Sequence, residues 1–177
     1  MTAIYSSDSF PGENNSFGLS PNETLLRPAE EFGNDQNIEL AWAIKTHEHA
    51  RLHMNLLCAT EPRNLRLTDM DDIILQAFYS EFPNFKLDII PEESLKSSAA
   101  KEKWREFSEK FKNHVEDYNF GTLLRLNCEK PYDAENTIIV ARVQFLAIEV
   151  ARNRHGLNSG LRDKFKADFF KIENHDL

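Results

Sequence analysis

The chain has 177 residues, the usual size of one domain, and its 41% hydrophobic and 28% charged residues exclude collagen-like, fully disordered and membrane classes. A formal charge of -8 and a pI of about 5.3 set the overall field against nucleic-acid phosphate and favour a basic partner surface. Cys58 and Cys128 stand in no CxxC or CxxH arrangement, so no disulfide framework or zinc knuckle is indicated and a reducing compartment fits.

Residues 1–31 are rich in Ser, Asn, Glu, Gly and Pro, with isolated Phe10, Phe17 and Leu19, and read as a disordered tail. The opening MTAIYSSDSFPGENNS has neither the basic start nor the apolar run of a signal peptide, and no run approaches about eighteen apolar residues. A soluble, cytoplasmic protein with no membrane contact is expected.

Asn34 or Asp35 can cap a first helix in which Ile38, Trp42, His49, Leu52 and Leu56 share a face, with Pro62 as its stop. Thr68 and Asp71 resemble a capping box for a second helix, whose apolar face is Met70, Ile73, Ile74, Ala77, Phe78 and Phe82 and whose end is Pro83. Phe85, Leu87 and Ile89 alternate with polar residues and predict a short strand over 85–90.

Ser97 or Ser98 opens a third helix lined by Ala100, Trp104, Phe107, Phe111, Val115 and Tyr118 and closed by Gly121. Residues 122–128 alternate again and predict a second strand, paired with 85–90. Over 136–155 two readings stay open at the start: a helix from about Val140 to His155 capped by Gly156, or a third strand over 137–140 leading into it. The fold class is therefore α+β, a mostly helical single domain over 32–158 with a small antiparallel two- or three-stranded sheet.

Candidate sites are few. The run His47-Glu48-His49-Ala50-Arg51-Leu52-His53 fails the HExxH spacing, because Arg51 stands where the second ligand belongs. His49 and His53, four apart, offer two metal ligands without a third at fixed spacing, so a metal-dependent enzyme is the weaker alternative. The bland reading puts His49 in the core and His47 and His53 on the surface. Asp69, Asp71 and Asp72 suit a helix N-terminus better than a cation. No phosphate-cradling glycine run and no nucleophile motif occurs, so no enzymatic activity, cofactor or metal is expected.

The segment 101–112 mixes basic and aromatic residues, but its acids dilute the field, and a packed amphipathic helix is preferred to a nucleic-acid contact. A ribosome- or RNA-binding adaptor remains the alternative class. In the last long helix, Arg142, Glu149, Arg152 and Asn153 form a narrow polar stripe containing Phe145, and with Arg125 they are the candidate partner-binding residues. Phe145 is either an interface anchor or covered by the tail or a neighbouring loop. Over 159–177, Leu161, Phe165, Phe169 and Ile172 outline an amphipathic helix that docks on this domain or enters a partner's groove.

Several runs carry a family resemblance: FGNDQNIELAWAIKTHEHA at 32–50, LRLTDMDDIILQAFYSEFP at 65–83, SAAKEKWREF at 98–107, VEDYNFGTLLRLNC at 115–128 and ENTIIVARVQFLAIEVARNRHGLN at 135–158. In order and spacing they resemble the family named polysaccharide-biosynthesis-domain-containing proteins, although no residue here supports sugar chemistry. The resemblance implies a ribosome-associated cytosolic chaperone that binds the GTP-binding domain of nascent translation elongation factor 1-alpha. It also implies engagement of the nascent polypeptide-associated complex, with Leu161, Phe165, Phe169 and Ile172 as a candidate recruitment helix. Departures from the family pattern are His47 and His53, Ala141 in place of a proline, and a Phe-rich C-terminus in place of an acidic tail.

Overall fold

The computed structural model describes residues 36–165. The tail at 1–31 and the residues Phe169 and Ile172 lie outside that range. Backbone contacts divide the chain into two units, Met1–Ile44 and Lys45–Leu177. The described part of the first is the opening stretch of helix α1, Gln36–Ala59.

The second unit holds the rest of α1 and then, in order, a 3-10 turn Pro62–Asn64, α2 Asp71–Glu81, α3 Glu93–Lys96 and α4 Ser98–Glu109. Strands β1 Gly121–Arg125 and β2 Thr137–Ala141 and helix α5 Arg142–His155 follow, and residues 161–165 are again helical. The class is α+β, as the sequence indicates. No helix among the described residues is long and apolar enough to cross a membrane.

Local chemistry explains the helix starts. Thr68 Oγ1 accepts from the Met70 amide at 3.2 Å, while the buried Asp71 carboxylate accepts from the amides of Leu67 and Thr68 at 2.9 Å each. These bonds satisfy amides of the turn that leads into α2, in the pattern of a capping box with a shorter acid, while Met70 at the N-cap position itself makes no side-chain cap. Ser97 does the same for α4, accepting from the Ala100 amide at 3.2 Å. Gly156 ends α5 with φ at 73°, a left-handed cap, and a Cβ there would collide with the Arg63 guanidinium.

The core is aromatic. Phe82 stacks on Trp104 at 4.0 Å between ring centres, Phe78, Phe85 and Phe107 pack around the pair, and Trp104 Nε1 donates to Ser94 O at 3.1 Å. Lys101, Glu102, Lys103, Arg105 and Glu106 face outward, which is the packed amphipathic reading of this helix.

Four expectations are corrected. The strand over 85–90 does not form: Ile89 makes one isolated bridge to Asn127, and Phe85 and Leu87 pack into the core instead. The partner of β1 is β2, antiparallel, with Leu123 opposite Ile139 and Thr122 opposite Val140, so residues 137–141 are strand and the helix begins at Arg142. Helix α4 stops at Glu109, and turns carry Phe111 and Val115 inward as far as Asp117, whose φ is 52°. Finally, Leu52, Leu56 and Ile73 are exposed. The inward face of α1 carries Thr46, Ala50, His53, Met54 and Leu57, roughly a third of a turn away. Polar bonds set that rotation, since Thr46 Oγ1 donates to Gly121 O and His53 Nδ1 pairs with the Tyr132 hydroxyl at 2.8 Å.

Candidate functional site: a buried charge cluster and the surface it holds

Helix α5 is buried from Val143 to Asn153. It carries Val143, Phe145, Leu146, Ala147, Ile148, Val150 and Ala151 around its circumference, and a helix apolar on nearly every side is a central helix. The polar stripe expected at its surface therefore points into the protein. Glu149 and Arg152, one turn apart, meet Arg125 from the end of β1 and Asn158 from just beyond the Gly156 cap.

All four side chains are fully buried. Arg125 Nη2 donates to both Glu149 oxygens at 3.2 and 3.1 Å and to Asn158 Oδ1 at 2.8 Å. Arg152 Nη1 donates to Glu149 Oε1 at 2.8 Å. Its remaining nitrogens and Arg125 Nη1 donate to main-chain carbonyls, Leu87 O at 2.7 Å, Leu126 O at 3.0 Å and Cys128 O at 2.9 Å, whereas Arg125 Nε is buried without a partner among the described residues. Asn158 Nδ2 closes the ring on Glu149 Oε2 at 2.9 Å and Asn153 Oδ1 at 2.7 Å.

The electrostatics follow. Burial by itself would push the Glu149 carboxyl up, but Arg125 and Arg152 outweigh it and hold the group far below the usual carboxylate range. His53, fully enclosed beside the cluster with Nε2 3.9 Å from Glu149, is lowered by burial to about 3 and is neutral, the attraction of Glu149 notwithstanding. Tyr132 bonds His53 and lies 5.5 Å under the Arg125 guanidinium, and burial raises its hydroxyl above the ordinary range. His49 is lowered by burial and then by Arg142.

The cluster is a brace. Arg125, Phe145, Glu149, Arg152 and Asn153 do not form a solvent-facing patch, and of the six candidate partner-binding residues Arg142 alone is half-buried. Phe145 is buried, and its described cover is helix α1, through edge contacts of His49 and His53 each 5.0 Å away, so it is not an exposed anchor and its cover is not the loop considered from the sequence. His47 is on the surface, whereas His53 is not. Among the described residues no group of three His, Cys, Asp or Glu side chains is placed to hold a metal ion. Of the recruitment residues, Leu161 is buried against Met54, Leu57 and Cys58, and Phe165 packs on the same group, so this start of the C-terminal segment docks on its own domain.

Sequence reasoning missed Asn158 and Tyr132. The available signal was pairing: an acid and a base three apart on a helix with no free face require further polar partners nearby in the chain.

The surface around this brace offers shallow, open hollows. One of about 470 Å³ is lined by Phe82, Phe85, Pro83, Pro91, Lys86 and Lys103 among others. His49 and His53 do not line it. Large apolar side chains also stand exposed at Ile73, Tyr79, Ile89 and Ile139.

The fold and its centre define a class: a small α+β domain braced by a buried arginine–glutamate–arginine cluster. The chain belongs to the PBDC1 protein family, whose model matches residues 38–163. It is 48% identical to Protein PBDC1 of Mus musculus and 47% identical to that of Homo sapiens, in each case over 81% of this chain. It spans 72% of the mouse protein and 61% of the human one. A PBDC1 homolog of Schizosaccharomyces pombe is 41% identical over 76% of this chain and 94% of its own length. A solution NMR structure of a Saccharomyces cerevisiae protein superposes with a TM-score of 0.69 at 41% identity, covering 76% of this chain and 95% of that one.

Proposed function

We propose that the chain is a stoichiometric, non-enzymatic chaperone of the cytoplasm that binds the GTP-binding domain of nascent translation elongation factor 1-alpha. It associates with ribosomes indirectly, through the nascent polypeptide-associated complex. One observation carries the reading: the runs that resemble that chaperone family fall largely within the matched residues 38–163 and supply Arg125, Glu149, Arg152, Asn153 and Asn158, the whole of the arginine–glutamate brace. A brace of this kind fixes α5 against the end of β1 and the segments at Leu87 and Cys128, so that the apolar side chains standing outside it present a preformed surface. Binding to a preformed surface loses less ordering entropy, which suits a partner that is itself incompletely folded.

Within this reading Arg142 contacts the client directly, and the other five candidate residues act by holding the frame. The test is titration of the full chain against the purified GTP-binding domain of translation elongation factor 1-alpha. A one-to-one complex is expected, weakened by Arg142→Glu with little change in the chain's thermal midpoint. Absence of any complex at micromolar concentrations overturns the proposal.

A further inference from the structure

We propose that the shallow hollow between helices α4 and α5 binds an acidic segment of a partner chain, with Lys101 and Arg105 holding a carboxylate and Gln144 bonding the peptide group beside it. The site lies wholly within the second unit and does not depend on the identity of the client.

Gln144 is the residue that points to a ligand. Its side chain is 6% exposed, lines this hollow of about 440 Å³, and makes no hydrogen bond among the described residues. A buried amide without a partner is costly, and an apolar side chain of the same shape would fill the position more stably. An amide presents donors on one atom and an acceptor on the other, the complement of a peptide unit.

The charge at the rim selects the partner. Lys101 and Arg105 stand one turn apart on α4 and both line the hollow, although like charges at that spacing repel. The chain is acid-rich, with 29 acidic residues against 21 basic, yet neither cation is ion-paired among the described residues. The one acid of the lining, Glu109, is engaged elsewhere: it accepts from the Tyr118 hydroxyl at 2.8 Å and stands 3.9 Å from Lys112. Two unpaired cations above an unbonded amide match a carboxylate with a peptide group attached. A pocket for a free small molecule encloses most of its ligand, whereas this hollow is open and suits a segment whose chain continues into solvent.

The test uses the full-length chain labelled with nitrogen-15, titrated with the capped peptide Gly-Glu-Glu-Leu-Gly and with its counterpart Gly-Gln-Gln-Leu-Gly. The acidic peptide is expected to shift the Gln144 side-chain amide and the Trp104 indole saturably, and the neutral one is not. Lys101→Ala combined with Arg105→Ala removes two exposed cations and should weaken the acidic peptide about tenfold or more with an unchanged thermal midpoint. Gln144→Met should also weaken it, while the thermal midpoint of the free chain holds or rises, because an unbonded amide has left the interior. A fall in that midpoint gives Gln144 a purely structural role and overturns the site. Equal binding of the two peptides, or no shift at about 1 mM of the acidic one, overturns it as well. Inorganic phosphate or succinate binding as tightly as the peptide assigns the hollow to small anions and overturns the partner assignment. These measurements need no client, so their failure leaves the chaperone reading standing, and failure of that reading leaves the site standing.

Discussion

Glu149 keeps a negative charge at full burial because two guanidiniums and an amide surround it, and such a group is costly to leave half-matched. Glu149→Gln preserves the shape but leaves Arg125 and Arg152 without their counter-charge. It is expected to lower stability by about 3–5 kcal/mol in urea denaturation, the range for a buried pair that loses one partner. A loss below about 1 kcal/mol would show that water already solvates the cluster. His53 adds a pH dependence of defined sign. Burial holds the folded imidazole at about 3, whereas in the unfolded chain it takes up a proton below its ordinary 6.5. Below 6.5 the unfolded state therefore binds the extra proton, so stability is complete above that pH and falls as pH drops, by up to about 1.4 kcal/mol per unit. Denaturation midpoints between pH 7 and 5 should decline for the wild type and decline less for His53→Gln. Equal slopes would contradict a neutral, enclosed His53.

At the scale of the elements, the chain after α5 is tied down first by Asn158 in the charge cluster and then by apolar contacts on α1. Leu161 sits against Met54, Leu57 and Cys58 of α1, and Phe165 extends the contact. Leu161→Ala is expected to cost about 2–5 kcal/mol by thermal or urea denaturation, the cost of emptying a well-packed leucine site. An unchanged midpoint would return Leu161 to the role of a partner anchor. Elements were legible where periodicity and caps coincide: α2 from Thr68 and Asp71, α4 from Ser97, the end of α5 at Gly156. They were not legible where two segments compete for one strand. Residues 85–90 alternate as a strand should, yet β1 is paired by 137–141, and alternation says which face is apolar without saying which neighbour lies alongside.

Over the whole molecule, the amino-acid sequence by itself determined the α+β class, the aromatic core around Trp104, the helix caps and membership of a family of known spacing. These are local or cumulative properties: a cap is decided within four residues, and a family pattern is read along the chain. The tertiary structure alone decided which side of α1 faces inward and that the polar stripe of α5 is interior. Helix α1 is turned by the bonds of Thr46 and His53 to partners 75 and 79 residues away, so its buried face is not its most apolar face. Tertiary structure likewise converted Glu149 and Arg152 from an apparent surface stripe, and Arg125 from a candidate contact residue, into an interior brace. A charged side chain is stable in the core only when its partners converge from several elements, and that convergence is a property of three-dimensional neighbours that no spacing along one helix can express.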